Sequence, residues 1–235
     1  LARGKAYMRG RGLSRFGGLG WVVVGLGAVL LAGCATGKQA QVKRLQAQSA
    51  YERGVTDFVE GRTALALPSL QEAIQLDPTV PQYRNALGFV YLGLGRNSEA
   101  IEEFKRAVEL DQRYGEGHHN LGVAYSQLGN WEEAIREYRV ALSIPGHSTL
   151  ENTYHNLGWA YYNVDRLREA EEAFRFVIQM EPTLVSAYYH LGLVLVKAGR
   201  RDEARAAFRQ ARELGPDTPL GLSAKEHLKA LGEGG

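Results

Sequence analysis

The chain has 235 residues, 28 Lys and Arg against 26 Asp and Glu, and a formal net charge of +2 with histidine neutral. That balance leaves no basic excess of the kind nucleic-acid binding needs, and the single cysteine excludes an intramolecular disulfide and any Cys-rich metal site. The length is enough for one elongated domain with a continuous core.

The first element is a leader. Arg3, Lys5, Arg9, Arg11 and Arg15 precede an apolar run, with no acid before Cys34, a distribution that holds the start of a leader on the cytoplasmic side. The run from Trp21 to Ala32 is twelve residues, inside the range of a secretory signal core and short of the ~20 that a spanning helix needs. From Phe16 to Gly33 there are eighteen uncharged residues, six of them glycine, which weakens a stable helix. An uncleaved anchor and an apolar leader without function are the alternatives. Met8 is a rival start that keeps Arg9, Arg11 and Arg15 ahead of the run.

Leu31-Ala32-Gly33-Cys34 closes the run, and polar residues from Thr36 to Gln39 follow it. A free cysteine is ordinarily a small buried hydrophobe, but no core-forming segment adjoins Cys34. The motif resembles the bacterial lipobox. The resemblance implies a signal peptide over 1–33, cleavage before Cys34, and covalent diacylglycerol and N-acyl lipid on Cys34, with no other cofactor. Each buried methylene contributes ~0.8 kcal/mol, so two or three chains anchor stably where one does not. Ala35, rather than Asp, follows the cysteine, which by the same resemblance favours the outer membrane, periplasmic face. The 202 residues from Cys34 onward carry 23 basic against 26 acidic side chains. Residues 34–46 are expected to form the lipidated cysteine and a short Gln/Lys/Ala-rich tether that can run on into the first helix.

Internal repetition dominates the rest. Leu-Gly pairs fall at Leu87-Gly88, Leu121-Gly122, Leu157-Gly158 and Leu191-Gly192, at spacings of 34, 36 and 34, and Gly54 lies 34 before Gly88. Ala100, Ala134, Ala170 and Ala204 follow the glycines by twelve; Phe104, Tyr138, Phe174 and Phe208 follow by sixteen. Gly61, Gly95, Gly129 and Gly199 suit left-handed turns between paired helices, with Asp165 in the fourth copy. The pattern resembles the tetratricopeptide repeat. It implies an all-α, right-handed superhelix of five helix–turn–helix repeats over 47–218 (47–80, 81–114, 115–148, 151–184 and 185–218). A capping helix over 219–231 and a flexible tail over 232–235 follow. Small residues are expected where two helix backbones approach. The 36-residue step reflects a link, Ile144 to Glu151, two residues longer than elsewhere: a Pro-Gly turn that kinks the superhelix, or a tolerated insertion.

In such repeats the first helix of each pair lines the concave face. Projection from the Leu-Gly register puts Tyr51, Phe58, Asn85, Phe89, His119, His155, Trp159, Tyr162, Tyr189 and Lys197 in a peptide-binding groove, with Val55, Leu92, Val123, Ser126, Leu193 and Val196 beside them. Part of this set is expected to pack between repeats instead. Aromatic anchors suit an apolar or amphipathic peptide. The Lys/Asn/Arg carboxylate clamp of chaperone-binding relatives is not expected, because Tyr51/Val55 and Asn85/Phe89 stand where its first pair would fall. His119, His155 and His190 recur at similar places, but helices packed roughly 10 Å apart hold them too far apart to share a metal at ~2 Å bonds, so no metal site is expected. No phosphate loop, His-Glu-x-x-His or Gly-x-Ser-x-Gly occurs; no enzyme and no small-molecule substrate are expected.

A lipidated leader on such repeats resembles the type IV pilus biogenesis lipoproteins, the pilotins. That family implies binding of secretin subunits and support of their assembly in the outer membrane. This chain departs from it in having five recognisable copies where six are usual, and in Arg53 and Asp57 within the first. A periplasmic adaptor for cell-wall hydrolases or synthases, or another secretion or adherence-pilus lipoprotein, are the other readings.

Overall fold

The computed structural model describes the backbone of residues 19–146 and 148–232, and side chains from residue 37 onward with the same exception. The basic residues of the leader, the Cys34 side chain with its cleavage and lipid, His147 and residues 233–235 lie outside the described residues. Those described form eleven helices and no strand. They are α1 (Leu19–Val59), α2 (Thr63–Leu76), α3 (Pro81–Gly93), α4 (Asn97–Leu110), α5 (Gly115–Gln127), α6 (Trp131–Ser143), α7 (Leu150–Asn163), α8 (Leu167–Met180), α9 (Val185–Lys197), α10 (Arg201–Leu214) and α11 (Pro219–Ala230).

The chain divides into two units after Gln46. In the first, the segment expected as a tether is helical, part of α1, and the side chains of 37–46 are exposed. Its Gln, Lys, Ala and Arg content explains this, since these residues lose little freedom in a helix.

The second unit stacks helical hairpins. Helix α3 packs on α4, α5 on α6, α7 on α8 and α9 on α10; each hairpin also contacts the next, and α11 closes the stack against α9 and α10. Every hairpin turns through one left-handed residue: Gly61, Gly95, Gly129 and Gly199, with Asp165 at φ 60° in the fourth. The amide of the residue that follows reaches back five positions, as in Arg96 to Tyr91 at 2.8 Å and Arg166 to Tyr161 at 3.0 Å. This is the Schellman closure, which satisfies carbonyls that the helix end leaves open. The same arginines lie over the Tyr91 and Tyr161 rings, 4.6 Å from the centroid in each case.

The core is a column of rings. Phe104, Tyr138, Phe174 and Phe208 are fully buried, one in each hairpin from α3–α4 onward, and Leu70 takes the place in the α1–α2 hairpin. Each ring points at the Leu-Gly glycine of its partner helix: a Cβ on Gly88, Gly122 or Gly192 would sit 2.6, 2.6 or 2.5 Å from a ring carbon. The glycines therefore admit an aromatic side chain, not a second backbone as their spacing suggested. A missing Cβ opens a slot, and the flat ring sixteen residues on fills it. At the C-terminus, Thr218 Oγ1 accepts from the Gly221 amide at 3.1 Å and Pro219 occupies the first turn of α11. Ala224 and Leu228 form the buried face of that helix, while Leu220 and Leu231 are half-buried.

Candidate functional site

Successive first helices touch directly: α3 with α5, α5 with α7, α7 with α9 and α9 with α11. Polar links tie them together. Asn120 Nδ2 donates to Asn85 Oδ1 at 2.9 Å, His119 Nδ1 meets Thr153 Oγ1 at 2.7 Å, His190 Nδ1 meets His155 Nε2 at 3.1 Å, and the Tyr189 hydroxyl meets His227 Nε2 at 3.4 Å. Lys197 Nζ donates to the Tyr162 carbonyl at 3.2 Å, lies over the Tyr162 ring and pairs with Asp165.

Two expectations change here. His119 is buried and joins α5 to α7, so it does not face a groove; the Thr153 hydroxyl draws its ring into the helix junction. His155 and His190, expected to lie too far apart to share a metal, stand with ring centroids 5.0 Å apart. The axis spacing was a poor guide, because two imidazoles span most of the gap between adjacent helices. Among the described residues, no group of three or more His, Cys, Asp or Glu side chains is placed to hold a metal ion.

The remaining side chains fall into three places along the first-helix face. Tyr51, Val55, Phe58, Asn85 and Phe89, with Leu70 and Ala86, line a pocket of about 180 Å³ between α1 and α3. Phe89 is partly exposed and meets Phe104 edge-on, with centroids 5.5 Å apart. A second pocket, of about 240 Å³, lies where the α5–α6 hairpin meets α7; Val123, Ser126, Gln127, Trp131, Tyr138, Asn156 and Trp159 line it. The third place is an aromatic cluster over α7, α9 and α11. Trp159 stacks on Tyr162 at 5.1 Å and 17°, and leans on His190 at 4.9 Å. His190 also touches Phe174 and Tyr189, and His227 stacks on Phe208 at 4.7 Å and 5°.

The electrostatics are those of a nearly neutral face. Burial, and then the charge of His155, push the His190 pKa down to about 4, and burial lowers that of His155. Both rings are therefore neutral at physiological pH. Burial pushes the Tyr138 hydroxyl up to about 12, opposed by its hydrogen bond with Ser126. Ion pairs link first helices and turns to second helices, as in Arg84–Glu103 at 2.8 Å and Arg200–Glu171 at 2.5 Å. The face offers concave apolar pockets rimmed by amides, suited to a polypeptide segment.

Sequence reasoning missed Asn120, Thr153, His227, Gln127, Trp131 and Asn156. A usable signal was present for some. Three links join a position to its repeat mate plus one: Asn85 to Asn120, His155 to His190, and Tyr162 to Lys197. A reading that compared diagonal neighbours, rather than equivalent ones, finds them.

Profiles of the tetratricopeptide repeat match residues 79–145 and 155–219, together more than half the chain. No curated protein matches the sequence. Among solved structures, that of MamA is similar at 26% identity and TM-score 0.66, covering 73% of this chain and 92% of its own. Pseudomonas aeruginosa pilF is similar at 20% identity and TM-score 0.66, covering 82% and 95%. PilW, described as a widely conserved type IV pilus biogenesis factor, is similar at 22% identity and TM-score 0.69, covering 82% and 87%.

Proposed function

The chain belongs to the tetratricopeptide-repeat family and is a protein-interaction scaffold, and from that premise we propose that it assists type IV pilus assembly as a lipid-anchored periplasmic protein of the outer membrane. Its first-helix face binds secretin subunits and brings them to the membrane; Cys34 carries the lipid. No catalytic step is involved. The observation that carries the reading is the joint occurrence of a Leu-Ala-Gly-Cys leader and a hairpin stack that pilF and PilW each match over 82% of the chain.

The test is deletion followed by assay of heat-resistant secretin multimers and twitching motility. Loss of both, restored by the wild-type gene, is the expected result. Normal multimers and motility with altered cell shape or lysis would overturn the reading in favour of a cell-wall adaptor. Cys34→Ser should leave a soluble or uncleaved protein, and unchanged retention in carbonate-washed membranes would count against the lipid.

A further inference from the structure

The repeat grammar breaks at one junction. Nine residues after each Leu-Gly glycine stand Asn97, Trp131, Leu167 and Arg201, and one residue after stand Phe89, Val123, Trp159 and Leu193. Trp131 opens α6 and Trp159 lies within α7, so two large indoles come from different hairpins to the pocket of about 240 Å³. Neither is needed to close a hairpin, since other copies fold with Asn, Leu or Arg in place of the first. Both remain partly accessible to solvent.

The lining defines an occupant. Its walls are aromatic and aliphatic: Trp131, Trp159, Tyr138 and Val123. The Trp159 ring is held in place by Tyr162 and His190 on its other contacts. No carboxylate, ammonium or guanidinium lines the pocket, and Tyr138 gives its hydroxyl to a 3.0 Å hydrogen bond with Ser126. A charged side chain entering here would lose water and gain no partner. An aromatic side chain would fill the volume and meet rings in offset or edge geometry. The polar lining is amide, from Gln127 and Asn156. Each amide offers both a donor and an acceptor, which matches the N–H and C=O of an extended backbone beside the inserted ring.

We propose that the Trp131–Trp159 pocket receives one uncharged aromatic side chain of an extended partner segment, with Gln127 and Asn156 holding the adjoining peptide group. This rests on the reading of the first-helix face as a protein-binding surface, but not on the partner being a secretin.

Trp131 and Trp159 are two of the three tryptophans in the chain, so their emission reports the site. The full chain is titrated with capped tripeptides Gly-Phe-Gly, Gly-Leu-Gly, Gly-Pro-Gly, Gly-Asp-Gly and Gly-Lys-Gly. Gly-Phe-Gly should give a saturable change at millimolar concentration and the charged peptides none. Trp131→Ala should weaken Gly-Phe-Gly about three- to tenfold, as expected for loss of an aromatic pair. Trp131→Phe should restore most of the binding, and circular dichroism should show both variants folded. Equal responses to Phe and Asp peptides, tighter binding of Leu or Pro, or unchanged affinity in Trp131→Ala would overturn the proposal. Purified secretin subunits separate the two claims: secretin binding with no response to Gly-Phe-Gly sinks the pocket and keeps the scaffold. No secretin binding, with the peptide series as expected, sinks the secretin and keeps the pocket.

Discussion

Replacing Gly192 by alanine places a Cβ 2.5, 2.7 and 2.8 Å from Cε1, Cδ1 and Cζ of Phe208. That ring is fully buried and has His227 stacked on it 4.7 Å away, so it cannot swing aside without opening the contact with α11. Overpacking of this kind costs roughly 1–3 kcal/mol. With three contacts under 3.0 Å the cost falls in the upper part of that range, roughly 2–3 kcal/mol; alanine returns about 1 kcal/mol through helix propensity, leaving a net loss of about 1–2 kcal/mol. Gly158 is the built-in control. Its Cβ would lie 3.1 Å from two carbons of Phe174 and 3.2 Å from Ala173 Cβ, contacts that a shift of a few tenths of an ångström relieves. Overpacking and propensity then nearly cancel, and Gly158→Ala should be close to neutral. Urea unfolding of wild type and both variants measures this, with m-values compared to check that the transition keeps its character. In thermal scans the gap should be roughly 2–4 °C per kcal/mol. Equal destabilisation of the two variants, or a neutral Gly192→Ala, would refute the idea that ring-to-glycine clearance sets the cost.

The His155–His190 pair makes the stack acid-sensitive. With the native pKa of His190 near 4 and an unfolded value near 6.5, the unfolded chain takes up protons first, so stability holds above about pH 6.5 and falls as pH drops toward about 4. His190→Gln should flatten this part of the melting-temperature profile relative to wild type, and parallel profiles would rule out the pair as its source. Asp165 pays a conformational cost at φ 60° that glycine would not. Asp165→Gly should therefore stabilise by about 0.5–1 kcal/mol in urea unfolding, since the exposed pair with Lys197 is worth little. Thr153→Val keeps shape but removes the hydroxyl that meets His119 Nδ1; a loss of about 1–3 kcal/mol is expected, and a neutral variant would show that link to be dispensable.

The hairpin stack was legible because each of its requirements recurs at one period. Left-handed turns demand Gly61, Gly95, Gly129 and Gly199, and Asp165 adopts the same backbone where glycine is missing. Buried rings recur sixteen residues after the Leu-Gly glycines, and their equivalence in sequence carries over to equivalence in space. The site was legible only in part. Tyr51, Val55, Phe58, Asn85 and Phe89 do share one pocket, because they lie on adjoining faces of two neighbouring first helices. His119 left the predicted set, and Trp131 lay outside any projection of the first helices, since it belongs to a second helix.

Sequence alone determined the elements, their pairing and their order, because those follow from local propensity and from a period shared by every copy. Tertiary structure decided which side chains meet across hairpins. Such contacts depend on where long side chains end, on a diagonal offset between stacked helices, and on whether a ring slips into a glycine slot. These are distances of a few ångströms that a 34-residue spacing does not carry.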